Sequence, residues 1–289
     1  MPELPEVEIT ARQLDEKIKG RVIDRVEVLN KKSFQGDAKD LCGRKIARVF
    51  RRAKMVVLEF DRWEMVLLVH LKMTGQLVWR LKSWNVNHLK RGVVGGHPTR
   101  DWVGELPNKH TRVIFNLVDG SKLFFNDMRI FGWIRVLSGD DWRKMENELP
   151  PDVVDESFSL GYLTRVLSKS ARSVKLVIMD SAKIGGVGNI YANDALNLAK
   201  ICPSRIANSL TKKEVGLLHA ALKEVMRRGI RYGGATYSDF RDTQGLGGKY
   251  QEHFLVYKRE GETCLNCGGE IVKTKIGGRG TYYCPECQV

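Results

Sequence analysis

The chain has 289 residues, room for about two domains at roughly 150 residues each. With 43% hydrophobic and 28% charged residues it can bury a real core. This excludes a disordered tail protein, a collagen and a disulfide knot. The longest apolar runs, such as Met65–Val69, are far too short to span a bilayer. No charged stretch followed by an apolar one opens the chain, so no secretory signal is expected. Lys and Arg number 48 against 34 Asp and Glu, a formal net charge of +14, and the pI is about 9.5. Residues 1–160 hold 28 basic and 23 acidic side chains, and residues 161–289 hold 20 and 11. The more electropositive C-terminal part favours a polyanionic partner, nucleic acid first, with a merely basic soluble enzyme as the alternative.

In chain order, Pro5 suits the start of a helix and Glu6 and Glu8 face its dipole. Val7, Ala11, Leu14 and Ile18 repeat at helical spacing, and Gly20 can end the helix. From about Val22 to Val136 the pattern changes to β-branched and aromatic runs: Val56–Phe60, Met65–His70, Gln76–Trp79, Val113–Val118 and Lys122–Phe125. Asp119-Gly120 between the last two is a hairpin signal. This part is expected to be an antiparallel sandwich or barrel carrying one helix. Residues 82–108, with their glycines, prolines and charges, read as a long exposed loop. Residues 140–158, with Pro150-Pro151 and many acids, read as an interdomain linker.

Beyond the linker the pattern is helical. Ser159 can cap a helix bearing Leu160, Leu163, Val166 and Leu167. Thr211 and Glu214 form a capping box ahead of Leu217, Leu218, Ala221, Leu222 and Val225, with Gly229 as the stop. Between them Gly185–Ala192 is a glycine-rich turn opening a helix, a place where backbone N–H groups face an anion. The Lys-Ser/Thr of a Walker loop does not follow it, and no parallel-strand pattern surrounds it as a dinucleotide fold requires.

Two of the six cysteines, Cys42 and Cys202, stand alone and read as packing thiols. The other four, Cys264, Cys267, Cys284 and Cys287, follow C-x2-C-x16-C-x2-C, a zinc-ribbon spacing. Two such knuckles place four thiolates about one structural zinc ion, and leave no open position for catalysis. Two disulfides of a secreted module are the rival reading, disfavoured in a reducing compartment. Gly268 and Gly269 permit the knuckle turn. Lys273, Lys275 and Arg279 among Gly277, Gly278 and Gly280 read as a hairpin with a basic, flexible tip.

Pro2-Glu3-Leu4-Pro5-Glu6-Val7-Glu8, the Gly188-Asn189-Ile190-Tyr191-Ala192 turn and the terminal ribbon occur in one order. Together, over nearly the whole chain, they resemble the bacterial formamidopyrimidine-DNA glycosylase family of base-excision repair enzymes. The resemblance implies an α+β multidomain fold. It has an N-terminal catalytic β-sandwich with a helix (1–139), the linker (140–158), a helix–two-turns–helix DNA-binding domain (159–262) and a C-terminal zinc finger with its β-hairpin (263–289). It also implies a cytoplasmic monomer that acts on damaged double-stranded DNA without a membrane. The activity would be a glycosylase for oxidised purines, 8-oxoguanine opposite cytosine first, with an associated lyase. Pro2, freed by removal of Met1, would be the amine nucleophile, and Glu3 its general acid/base. Lys54 and Arg279 would donate protons in β- and δ-elimination.

Among DNA contacts, Met73, Arg129 and Phe131 match the residues that fill the void left by an extruded base. His110 and Asn189 match further DNA contacts, and Thr236–Tyr250 matches the loop over the flipped base. This sequence departs from the family in three places. Met128 and Ile130 stand in a motif that is usually Asn-Asp-Pro-Arg-Arg-Phe. A basic position falls on Ser170, leaving Lys169, Ser170 and Arg172 as alternatives for a phosphate contact. The 82–108 loop is longer than usual. Two other readings stay open: a sister enzyme for oxidised pyrimidines, which usually has Gly where this chain has Leu4, and a zinc-ribbon DNA-binding protein without catalysis.

Overall fold

The computed structural model describes residues 2–61, 64–82, 93–96 (backbone only), 106–235 and 248–289. It divides into two units. One is Met1–Glu148 with Tyr232–Lys249, the other Leu149–Arg231 with Tyr250–Val289.

The first unit opens on helix α1 (Leu4–Ile18). Its cap is a reciprocal box: the Glu3 side chain accepts from the Glu6 backbone, and the Glu6 side chain accepts from the Glu3 backbone N–H. Val7, Ala11, Leu14 and Ile18 lie on one face and are fully buried, so the helical stripe seen in the sequence becomes core. They pack among the strands of two five-stranded sheets. Strands β1 (Ile23–Val28), β2 (Phe34–Gln35), β3 (Ile46–Arg52), β4 (Met55–Phe60), β5 (Met65–His70), β6 (Gly75–Arg80), β7 (Val93–Gly96), β8 (Thr111–Leu117), β9 (Lys122–Asp127) and β10 (Trp133–Ser138) build them. The orders are β1-β8-β9-β6-β7 and β2-β10-β5-β4-β3. Alternation sorts the side chains. Leu77 and Trp79 of β6 enter the large core, whereas Val78 joins Ile114 and Phe124 in a separate cluster with Leu106.

The stretch expected as one long loop at 82–108 contains a strand. Val93–Gly96 pairs antiparallel with β6, Val94 opposite Val78 and Gly96 opposite Gln76. Edge pairing satisfies a backbone that a loop would leave to water, and the glycines that suggested a loop obscured it. The remainder of that loop, apart from Lys82 and residues 106–108, lies outside the described residues. So does most of Thr236–Tyr250. Helix α2 (Gly139–Glu148) occupies the start of the linker segment and buries Trp142 edge-on to Phe50, ring centroids 6.5 Å apart.

In the second unit, α3 (Leu160–Ser168) is capped as expected by Ser159, whose hydroxyl accepts from Tyr162 N–H at 3.1 Å. Short α4 (Val174–Ile178) and α5 (Asn189–Leu198) follow. The Thr211–Glu214 box opens α6 (Lys212–Arg231). Gly229 does not stop that helix. It is buried within it, and the left-handed residues that end the path come later, at Gly233 and Gly234 with φ of +78° and +80°. Strands β11 (Val272–Ile276) and β12 (Arg279–Tyr283) form the terminal hairpin. Their two-residue turn, Gly277-Gly278, has positive φ at both positions, as a type I′ hairpin turn demands. Among the described residues no helix is long and apolar enough to cross a membrane.

Candidate functional site

Pro2 and Glu3 are both buried at the N-terminal end of α1. Glu6, in the first turn, holds the Glu3 backbone. Its Oε2 accepts the Glu3 N–H at 2.8 Å, and its Oε1 accepts the N–H of Ala235 at 2.8 Å. Two residues further on, Glu8 Oε2 accepts from Arg51 Nε at 2.7 Å, and Arg51 Nη1 donates to the carbonyl of Ala53 at 3.1 Å. Ala53 (φ +52°) and Lys54 are the two-residue turn between β3 and β4. The helix that carries Pro2 and Glu3 and the turn that carries Lys54 are thus tied by one nearly buried guanidinium.

The other expected residues of this unit gather on two segments. Met73 follows Lys72, itself at φ +50°, just before β6, and Met128–Phe131 links β9 to β10. Arg129 Nη1 reaches Met73 Sδ at 3.4 Å, and its guanidinium carbon lies 4.6 Å from the centre of the Phe131 ring. Met73 is 41% and Phe131 52% exposed, and Met128 and Ile130 beside them are exposed too. Side chains standing this far into solvent are not part of the packed core. Asp127 is buried beneath them, bonded to Thr74, Arg129 and Gly132. His110 is half-buried, and its carbonyl accepts the Asp127 N–H at 2.9 Å.

A further residue, His70, went unread in the sequence although it opens the His70–Gly75 segment. Its Nδ1 accepts the Lys72 N–H at 3.0 Å. Burial, reinforced by the Lys72 and Lys54 charges, pushes its pKa down to about 3. The ring is therefore neutral, with its proton on Nε2 as a fixed donor. Only the fold brings Lys54 near enough to be felt, so no local signal marked it.

In the second unit, Asn189 begins α5 after the glycine-rich turn, and its Nδ2 donates to the Gly280 carbonyl at 3.0 Å. Lys175, fully buried, donates to the same carbonyl at 3.1 Å and to Thr281 Oγ1 at 2.7 Å. The start of β12 is therefore held at Gly280 and Thr281, next to exposed Arg279. Of the three alternatives near 170, Ser170 is buried, Lys169 is exposed, and Arg172 is half-exposed with Nη1 2.9 Å from Asp180 Oδ2.

The four ribbon cysteines converge. Cys264 and Cys287 sulfurs are 3.8 Å apart, those of Cys267 and Cys284 3.4 Å, and all four lie within 4.8 Å of one another. A tetrahedral thiolate cage with Zn–S near 2.3 Å has edges of about 3.8 Å. A disulfide would need about 2.05 Å, and none of the six cysteines is in a disulfide. The disulfide alternative is thereby overturned, and the donor set fits one structural zinc. A buried amide seam that the sequence did not reveal joins this cage to α5: Tyr282 N–H to Asn193 Oδ1, Asn197 Nδ2 to Gln288 Oε1, and Cys284 N–H to the same Gln288 oxygen, each at 2.9 Å.

Fold and side chains define a class first: a modular zinc-finger protein, with a capped, buried N-terminal turn and an exposed apolar-and-arginine projection on a two-sheet unit, and a basic hairpin held on a helical one. Comparison with known proteins narrows it. Residues 1–134 match the formamidopyrimidine-DNA glycosylase N-terminal domain, 149–241 its H2TH domain, and 261–289 the zinc finger found in FPG and IleRS. The chain is 39% identical to the formamidopyrimidine-DNA glycosylase of Pelotomaculum thermopropionicum, covering 100% of this chain and 99% of that one. It is 38% identical to that of Neisseria meningitidis, with 100% of both covered. It superposes with TM-score 0.83 and 29% identity on Lactococcus lactis Fpg, solved in complex with DNA containing an abasic site, 99% of each chain matched. The chain belongs to the formamidopyrimidine-DNA glycosylase family.

Proposed function

We propose that this protein excises oxidised purines, 8-oxoguanine and formamidopyrimidines, from double-stranded DNA and then breaks the strand at the abasic site by β,δ-elimination. Removal of Met1 frees the secondary amine of Pro2, and the positive end of the α1 dipole favours its neutral, nucleophilic form. Attack on the anomeric carbon forms a nitrogen–carbon bond as the bond to the base breaks; the amine gives up its proton, the sugar ring then opens at its carbon–oxygen bond, and an iminium remains. Having no N–H proton to lose, this iminium stays cationic and acidifies the adjacent sugar carbon, so the two phosphates leave in turn. Glu3 exchanges protons with the sugar ring oxygen. Lys54 serves β-elimination, and Arg279 serves δ-elimination at its phosphate.

Met73, Arg129 and Phe131 enter the stack as the base leaves and offset part of its unstacking cost. His110, Asn189 and Arg172 grip the DNA. Cys264, Cys267, Cys284 and Cys287 hold zinc, which shapes the hairpin. The division of labour follows the segments 1–139, 140–158, 159–262 and 263–289, and the protein works as a monomer in the bacterial cytoplasm, at the nucleoid.

The observation that carries this reading is the N-terminal turn itself. Pro2 and Glu3 are buried, and the Glu3 backbone is held by Glu6, in a chain that belongs to this family from end to end. Glu3 is 4% exposed, a costly place for a carboxylate that serves only as a helix cap. Leu4, where the pyrimidine-specific sister enzymes usually have Gly, favours oxidised purines. The test is borohydride trapping on a duplex with 8-oxoguanine opposite cytosine. The mature protein becomes covalently attached, and a form blocked by an N-terminal extension binds without attachment. Undiminished strand cleavage by the blocked form would overturn the mechanism. Faster excision of an oxidised pyrimidine than of 8-oxoguanine would overturn the substrate.

A further inference from the structure

One buried carboxylate lies under all three residues assigned to the wedge. Asp127 ends β9, where it pairs with Gly75, and is fully buried. Its Oδ1 accepts the Thr74 hydroxyl and, at 3.2 Å, the Arg129 N–H. Its Oδ2 accepts the Gly132 N–H at 2.6 Å. Thr74 Oγ1 also accepts the Arg129 N–H, at 3.1 Å. The Asp127 backbone closes the frame: its N–H donates to the His110 carbonyl at 2.9 Å, and its carbonyl accepts from Arg112 Nε at 2.8 Å.

The carboxylate therefore fixes the residue after Met73, the backbone of Arg129 and the residue after Phe131. Space allows little slack, since a Cβ on Gly132 would lie 2.9 Å from the Phe125 ring and 3.0 Å from Asp127 Oδ2. Three donors on two segments converge on this side chain, and only an acceptor with two oxygens can take them all. An asparagine has one oxygen, and its NH2 would face a donor. What is held in this way is awkward by itself: four half-exposed apolar side chains, Met73, Met128, Ile130 and Phe131, and a left-handed Ile130 at φ +56°. A β-branched residue rarely adopts that conformation unless its surroundings dictate it.

We propose that Asp127, together with Thr74, is the positioning residue that preassembles the wedge and so sets discrimination for the base opposite the lesion. The inference rests on the functional reading above. A wedge already in place spares the entropy of ordering two segments while the duplex is opened.

The test uses the full-length, zinc-loaded protein and its Asp127→Asn, Thr74→Val and Thr74→Ser variants. Single-turnover excision of 8-oxoguanine is measured opposite cytosine and opposite adenine, and borohydride trapping on a single-stranded abasic oligonucleotide, which has no partner strand to invade. Asp127→Asn is expected to lower duplex excision about tenfold and to narrow the cytosine-over-adenine preference, while single-strand trapping stays within about twofold, in keeping with one lost charged hydrogen bond. Thr74→Val should act in the same direction by about threefold, with Thr74→Ser restoring wild-type behaviour. If Asp127→Asn fails to fold, the Thr74 pair decides. Wild-type preference in Thr74→Val, or equal losses on duplex and single strand, would overturn the proposal. A wild-type protein that is never trapped on either substrate would instead overturn the enzymatic reading on which it rests.

Discussion

Arg51→Met tests whether the link between α1 and the Lys54 turn stabilises the first unit. The guanidinium is only 5% exposed, and its Glu8 partner 17%. Removing one member of a buried ion pair costs about 3–5 kcal/mol. Glu8 keeps Arg12 Nε at 2.6 Å and some solvent, which argues for the lower end. Losing the bond to the Ala53 carbonyl adds about 1 kcal/mol, and methionine packing offsets part of the total. The net expectation is a loss of about 2–3 kcal/mol, or roughly 4–12 °C in Tm for a unit of this size.

The assay is selective. All six tryptophans fall within residues 1–148, so urea unfolding followed by tryptophan fluorescence reports the first unit alone. In a double-mutant cycle, Glu8→Gln and Arg51→Met should couple by at least about 1 kcal/mol. An unchanged urea midpoint, or strict additivity of the two substitutions, would refute the argument that this pair ties helix to turn.

Three further expectations follow from particular residues. His70 stays neutral in the folded state down to about pH 3 but titrates near 6.5 when unfolded. The unfolded chain therefore binds more protons in that window, and stability falls as pH drops from about 6.5 toward 3, by at most about 4–5 kcal/mol. His70→Gln should flatten that part of a pH series of melts, and a series that His70→Gln leaves unaltered would refute the assignment. Ile130→Asn places a residue that tolerates left-handed backbone at φ +56° and should raise the tryptophan-monitored stability by about 0.5–1 kcal/mol; a lower stability would mean that Ile130 contributes more by contact than it costs in strain. Metal analysis should find one zinc per chain. Cys284→Ser should lose it, along with the near-ultraviolet signal of Tyr257 and Tyr282, whose rings meet at 5.3 Å; full zinc retention in that variant would count against the four-cysteine cage.

The features legible before folding are local or strictly spaced. Capping at Ser159 and Thr211 acts over three residues, strand runs such as Met65–His70 alternate within one element, and the ribbon cysteines announce their ion by interval. Met73, Arg129 and Phe131, which the structure brings together, and the N-terminal turn stand in motifs of a few residues each. The rest depends on partners far apart along the chain. Asp127 and Thr74 are 53 positions apart, Lys175 and Thr281 106, and Glu6 and Ala235 229. Neither the neutral His70, nor the β7 strand inside an apparent loop, nor the continuation of α6 through Gly229 could be read locally. A buried polar atom takes whichever partner the fold brings to it, an edge strand forms when a neighbour offers its ladder, and a helix stops where the chain turns rather than at the first permissive glycine.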